Sequence, residues 1–365
     1  MSYRILILLF FISIAEAKGL VNDSTPGSWG IEVKAEYGFV MAHRPAVLPL
    51  QQEHVRGLEV TFLKPTTGKK FWEDRFLHPD VGLTIAAFDL GSPDYLGKGI
   101  AVYPFINFPL HRTEDWNLYF RYGMGLGWIE KIFNIEDRIK NGAIGSHLNG
   151  VLHLNFHTEK KLNEHSFISA GIGLTHYSNG STAMPNLGIN IPTAHLGFMH
   201  YFGNPVAHEQ PVETAVTKKG RIEFYIAGAF KKIYPPLGKV YPAGTLSVAR
   251  MQAISARSDW GAGIDIFYDE SILEKLTRDH QLSATSADNF RPGIYGAYQV
   301  AAGNLGLMFN MGFYPYSKWK GDGNFYHRIC FRYYIHNFIV CMNLKTHYAK
   351  ADFIEWGLGW RFGKR

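Results

Sequence analysis

Residues 174–190 read LTHYSNGSTAMPNLGIN, and within them His176 and Ser178 stand two apart. Positions i and i+2 of a strand project from the same face, so an imidazole and a hydroxyl placed this way can approach each other. That is the pairing of general base and nucleophile that ester hydrolysis uses. On spacing alone, H-x-S is a weak signal. The chain contains no P-loop, no G-x-S-x-G elbow, no C-x-x-C pair and no dinucleotide fingerprint, so soluble hydrolase chemistry has no motif to rest on. His153 and His157, four apart on a strand, are separated by about 13 Å along it, too far to share one metal ion. No metal or cofactor is expected.

The elements that must position these residues are strands. From Trp116 to Trp128, the even positions are Trp, Leu, Phe, Tyr, Met, Leu and Trp, while the odd ones are Asn, Tyr, Arg and three Gly. This is a strict period of two, longer than the usual soluble strand of roughly five to six residues and long enough to cross a bilayer with tilt. Leu148, Leu152, Leu154 and Phe156 oppose Asn149, His153, Asn155 and His157 in the same manner. Residues 31–41 set Ile31, Val33, Ala35, Tyr37, Phe39 and Met41 against Glu32, Lys34 and Glu36. Alternation alone fits a soluble sandwich as well as a barrel; strand length, aromatic ends and an export signal together favour a transmembrane barrel. Glu32, Lys34, Glu36 and Arg121 are then expected to form a polar interior.

The composition agrees. The 365 residues are 46% hydrophobic and 15% aromatic, with 38 Gly and 2 Cys, which excludes a disordered chain, a collagen and a disulfide scaffold. A formal charge of +6, dispersed along the chain, does not indicate nucleic acid and is compatible with an anionic membrane surface. Residues 2–17, SYRILILLFFISIAEA, have one Arg, a short apolar run and a small-x-small end, the form of a signal peptide cleaved after Ala17. The apolar run is shorter than the roughly 20 residues of a spanning helix, and no later segment supplies one.

About sixteen alternating segments follow, the last at Phe353–Phe362, giving an all-β antiparallel transmembrane barrel. It is either one large barrel or two eight-stranded units. Residues 204–219, with two Pro and no alternation, read as a linker or long turn between a first half, 18–203, and a second, 220–365. The halves carry a weak echo, Leu174-Thr-His-Tyr against Lys345-Thr-His-Tyr. Parity objects to a simple duplication: His347 shares a polar face with Cys341, Asn343 and Lys345, whereas His176 shares an apolar one with Ile168, Ala170, Ile172 and Leu174. Cys330 and Cys341 flank a turn near Ile335-His336, as a disulfide or as free inward thiols. His195 and His200 fall on opposite faces and suggest nothing.

The same parity places His176 and Ser178 on the lipid side, and Asn190, on the next strand with Pro192, Ala194, Leu196 and Phe198, there too. Polar groups among lipid-facing residues are a functional hypothesis by default; the competing reading is that they mark where the strand leaves hydrocarbon for headgroups. The stretch His176-Tyr-Ser178-Asn179 followed by Pro185-Asn186-x-Gly188-Ile189 resembles the signature of the lipid A 3-O-deacylase (PagL) family. The resemblance implies an outer-membrane barrel with a serine site on its outside, acting on lipid A of the lipopolysaccharide in the outer leaflet. It implies Ser178 as nucleophile and His176 as general base, with Asn190 at the position of the family's acid, an amide where the family has a carboxylate. Asn179 would match an oxyanion-hole side chain and Gly180 would offer a backbone N–H, although the family's glycine comes one position later. The alternative is a non-catalytic barrel acting as a channel or structural protein.

Overall fold

The computed structural model describes residues 24–209, 219–281, 283–348 and 350–363. The proposed signal peptide and most of the inter-half segment lie outside the described residues. Eight strands, β1 (Trp29–Gly38), β2 (Val55–Pro65), β3 (Asp80–Asp89), β4 (Lys98–Arg112), β5 (Trp116–Ile129), β6 (Leu148–Lys161), β7 (Ser166–Ser178) and β8 (Ile189–Phe202), pair in sequence order. β1 then pairs antiparallel with β8 and closes the first barrel. Eight more, β9 (Arg221–Lys232), β10 (Val240–Ala253), β11 (Ser258–Asp269), β12 (Phe290–Ala302), β13 (Leu305–Phe313), β14 (Phe325–Ile335), β15 (Phe338–His347) and β16 (Lys350–Phe362), form a second barrel closed between β16 and β9. Two barrels of eight strands thus replace the alternative of one large barrel. Helices are short: α1 (Phe71–Arg75) between β2 and β3, and α2 (Ser271–Arg278) after β11. No helix among the described residues is long and apolar enough to cross a membrane.

Alternation becomes an inside and an outside. In β5, Trp116, Leu118, Leu126 and Trp128 are exposed on the outer wall, while Tyr119, Arg121 and Ile129 are buried. The inner glycines make room for tyrosines of neighbouring strands: a Cβ on Gly123 would lie 2.6 Å from the Tyr103 ring, and one on Gly127 2.4 Å from that of Tyr177.

An eight-stranded barrel is just wide enough for side chains to fill it, and both interiors are filled by paired charge. In the first, Arg121 donates to Glu32 at 2.8 Å, Lys34 lies 3.4 Å from both Glu32 and Glu59, and Tyr103 donates to Glu59, all buried. His153 and His157 join this interior by hydrogen bonds to Thr175 and Asn155. In the second, Arg328 bridges Asp265 and Glu355 at 2.7 and 3.2 Å, and Arg332 and Arg221 both pair with Glu223. Charged groups removed from water persist when they are paired and hydrogen-bonded. Cys330 and Cys341 are free, buried thiols; Cys330 sits opposite Asn343 and Cys341 opposite Arg332, so the turn does not make them direct cross-strand neighbours.

Candidate active site

The outer wall of β7 runs Ile168, Ala170, Ile172, Leu174, His176, Ser178, and its inner face Phe167, Ser169, Gly171, Gly173, Thr175, Tyr177. Ile172 is 65% exposed, and Leu196 on the adjoining wall of β8 is 67% exposed. His176 and Asn190, directly paired across β7 and β8, are half-buried on this outer side. A polar cluster therefore sits at the end of an apolar wall.

His176 Nδ1 lies 2.7 Å from Asn190 Oδ1. With Nδ1–H donating to that oxygen, Nε2 is left with its lone pair, the tautomer of a general base. Asn190 Nδ2 in turn lies 3.1 Å from His43 Nδ1, and His43 Nε2 lies 3.2 Å from the carbonyl of Leu187. A proton on Nε2 of His43 satisfies this chain from end to end. His43 arrives there because the backbone continues beside β8 after β1 ends at Gly38: Phe39 N–H donates to Pro192 O and Met41 N–H to Asn190 O. The strand expected over 31–41 thus ends three residues early, yet its continuation still brings His43 to Asn190.

Ser178 does not hydrogen-bond to His176 here. Its Oγ donates to Asn186 Oδ1 at 3.2 Å and accepts from Gly180 N–H at 3.3 Å. Asn179 N–H donates to the same Asn186 oxygen at 3.0 Å, which fixes that amide and turns its Nδ2 away; Nδ2 is buried without a partner among the described residues. A buried donor left unpaired is expensive unless something arrives to accept from it. The Asn179 side chain points elsewhere, donating to Ser146 Oγ at 2.9 Å. The Asn179 amide expected in the oxyanion hole is thus engaged with Ser146, and the amide group facing Ser178 is the oxygen of Asn186.

Two glycines shape the surroundings. Gly188 has φ +72°, and a Cβ there would stand 2.7 Å from His176 Cε1, so only glycine lets the chain pass the ring. Gly150 pairs with Ser178 from β6, and a Cβ there would meet only the Ser178 carbonyl oxygen, at 3.4 Å. The β6 flank of Ser178 is consequently bare. Neither Asn186 nor His43 carried a role in the sequence reading. The signature placed Asn186 in the stretch without a task, and His43, 147 residues from Asn190, had no local signal.

Other polar groups do not compete with this cluster. His195 is buried in the first lumen against Asn155, and His200 bonds Ser166 on the outer side. Asp322, His347 and Asp352 lie close enough together to hold a metal ion. Their carboxylates, however, are occupied by Lys231, Lys345 and Arg291. Burial alone would raise the Asp322 carboxyl, but Lys275 and Arg291 beside it hold it below the usual carboxylate range. A cavity of about 390 Å³ lined by His78, Asp80, Arg112 and Glu159 opens at the opposite end of the first barrel from Ser178.

Residues 56–199 match the family model "Lipid A 3-O-deacylase (PagL)", and residues 220–365 match "Acyloxyacyl hydrolase, C-terminal domain". Among solved structures, Neisserial surface protein A (NspA) is similar over 50% of this chain and 100% of its own, at 6% identity and a TM-score of 0.36. CdiB from Acinetobacter baumannii is similar over 92% of this chain and 60% of its own, at 8% identity and a TM-score of 0.19. The Acinetobacter baumannii outer membrane protein Omp33 covers 93% and 98%, at 7% identity and a TM-score of 0.17. No curated protein matches. With one family model on each barrel and the two together spanning most of its length, the chain belongs to the PagL family of lipid A deacylases, hydrolases of the outer membrane.

Proposed function

We propose that this protein is a serine esterase that removes the acyl chain esterified at the 3 position of lipid A, with Ser178 as nucleophile and His176 as general base. The observation that carries the reading is the outward His176–Asn190 pair, 2.7 Å apart, two residues before a serine on an apolar wall. Exported with a cleaved leader, the chain would meet lipopolysaccharide by lateral diffusion in the outer leaflet. The reading requires Ser178 to turn from Asn186 toward Nε2 of His176, a tightening that substrate-free sites often await.

The bond from Oγ to the ester carbonyl carbon forms as the Oγ proton passes to Nε2. The negative charge on the carbonyl oxygen meets the Gly180 N–H, the donor that points at Ser178 Oγ. Collapse breaks the ester C–O bond, and His176 gives its proton to the departing sugar oxygen, which leaves as a hydroxyl. Water, deprotonated by the same imidazole, then attacks the acyl carbon; the bond to Oγ breaks, the proton returns from His176 to Oγ, and the fatty acid leaves. Asn190, backed by His43, holds the ring in the required tautomer without supplying a charge to the imidazolium. No step calls on a metal or cofactor.

A channel finds no support in the described lumens, which are packed with paired charged side chains. Mass spectrometry of lipid A from cells producing the wild-type protein or Ser178→Ala tests the reading. Loss of one hydroxyacyl chain with wild type alone is the expected result. Identical spectra, with both barrels present in the outer membrane, would overturn it.

A further inference from the structure

The second barrel touches the first beside the serine. Tyr122, on the outer wall of β5, stacks on Phe331 of β14, with ring centroids 6.2 Å apart. The outer residues Val340, Met342 and Leu344 of β15 and Leu152, Leu154 and Phe156 of β6 are half-buried. On walls turned elsewhere the equivalent residues are bare: Ile226, Trp260 and Ile264 are all more than half exposed. Ser178, on β7 next to β6, lies at the end of this seam.

The hairpin after β7 is pinned across the seam. Lys232 N–H, at the end of β9, donates to Ser181 O at 2.7 Å, and Ser181 Oγ donates to Ala351 O, at the start of β16, at 3.3 Å. Gly180 is pressed on Ile354 of β16 so closely that a Cβ would fall 2.4 Å from its Cγ1 and Cδ1. Gly180 and Ser181 both adopt left-handed backbone, φ +60° and +69°. Such a conformation is unfavourable for a serine and persists where surrounding contacts over-determine it. Those contacts come from the second barrel. They hold the turn whose Gly180 N–H points at Ser178 Oγ.

Building on the esterase reading, we propose that the second barrel is a positioning domain: Ile354 and Ser181 lock the β7–β8 hairpin so that the Gly180 N–H stands where the oxyanion develops. The site on the first barrel is complete only with the second beside it. This gives the second half of the chain a task that its filled lumen does not, and it predicts that damage to the far wall of the seam is felt in turnover rather than in binding. A preorganised donor displaced by a fraction of an ångström loses its advantage in the transition state while substrate binding is little changed.

The test uses the full chain in detergent micelles with lipopolysaccharide as substrate, following fatty-acid release. Ile354→Ala combined with Ser181→Ala is expected to lower kcat about tenfold to a hundredfold with KM within about twofold, on the scale of small misplacements in active sites. Ile354→Val, which keeps most of the contact, should fall between. Ile264→Ala, on the wall of β11 away from the seam, should leave both constants unchanged. A second readout needs no activity: a nitroxide on Thr182→Cys reports hairpin motion, the native Cys330 and Cys341 being buried. Its spectrum should be immobilised in the otherwise native chain and mobile in the double variant. An unchanged kcat or an unchanged spectrum overturns the proposal. A wild-type protein that releases no fatty acid overturns the esterase reading instead, whatever the label shows.

Discussion

The same three residues stand at the C-terminal end of the seventh strand of each barrel, Thr175-His176-Tyr177 just before the last residue of β7 and Thr346-His347-Tyr348 running one residue past β15, and the two barrels use them oppositely. In the first, Thr175 and Tyr177 point inward and His176 outward. In the second, His347 points inward, where Tyr314 bonds its Nε2 at 2.8 Å, and Tyr348 is exposed. A shift of one residue exchanges the faces of a strand. β15 itself alternates regularly; the irregularity is in its partner, where the register of β16 slips between Lys345 and Thr346 and both Asp352 and Phe353 are buried. One imidazole is thereby offered to the membrane and the other enrolled in a lumen network. The same tripeptide on the same strand does not make the same site.

The largest effects should separate these two histidines. His176→Ala and Ser178→Ala are each expected to lower ester release by about 10³-fold or more, the scale seen when a nucleophile or its base is removed. His347→Ala should leave the rate within about twofold and reduce stability by about 1 kcal/mol through its lost hydrogen bond. A single assay on lipopolysaccharide micelles ranks the three. A comparable loss of rate in His347→Ala would show that the outward face is not what distinguishes the barrels.

Next in size are the lumens. Arg328 is fully buried between Asp265 and Glu355, with its guanidinium over the Tyr225 and Phe267 rings. Arg121 fills the matching role in the first barrel against Glu32. Removing one member of a buried pair strands the other and costs about 3–5 kcal/mol. Arg328→Met should therefore shift denaturant unfolding of the second barrel, and Arg121→Met that of the first, monitored by tryptophan fluorescence in detergent. If either substitution leaves its midpoint in place, the paired-charge account of that interior is wrong.

Much of this architecture was legible from the period of two. Parity alone placed His176, Ser178 and Asn190 together on the outer side, because side-chain direction in a strand is a local property of the backbone. Closure was not legible. A strand alternates identically in a wide barrel and in a narrow one, and what decides is the pairing of Trp29–Gly38 with Thr193–Phe202, far along the chain. The site's supports escaped for the same reason. His43 reaches Asn190 only because β1 closes against β8, and the task of Asn186 depends on a hairpin folding back over Ser178.

A smaller effect concerns Asn190. In serine hydrolases, replacing the acid by an amide can cost about 10⁴-fold when the imidazole is left in the wrong tautomer. Here the amide oxygen, 2.7 Å from Nδ1, already selects the right one, with His43 fixing which way the amide faces. What remains missing is the charge. The gain from a charged over a neutral acceptor is roughly 1 kcal/mol or somewhat more, so Asn190→Asp should raise kcat about tenfold. A fall in kcat would instead mean that the His43–Asn190 bond is what positions the base, and His43→Ala would then reproduce the loss.

The smallest expected effect is none, and it tests the second barrel's cluster of Asp322, His347 and Asp352. Two carboxylates and an imidazole within reach of one another resemble a metal site. A divalent cation would have to displace the ammonium and guanidinium groups of Lys231, Lys345 and Arg291 already seated on these carboxylates, or be repelled by them. In the proposed mechanism, Ser178 and His176 of the first barrel work by nucleophilic attack and proton transfer, with no ion taking part. EDTA should therefore change neither ester release nor the thermal unfolding of the second barrel in detergent, and added Ca²⁺ or Zn²⁺ should restore nothing. A chelator-sensitive unfolding transition would make the second barrel a metal-stabilised one and turn its inward histidine from a lumen hydrogen-bonding partner into a ligand. A chelator-sensitive rate would undo the division of labour between the barrels, since ester cleavage would then depend on an ion that Ser178 and His176 do not require.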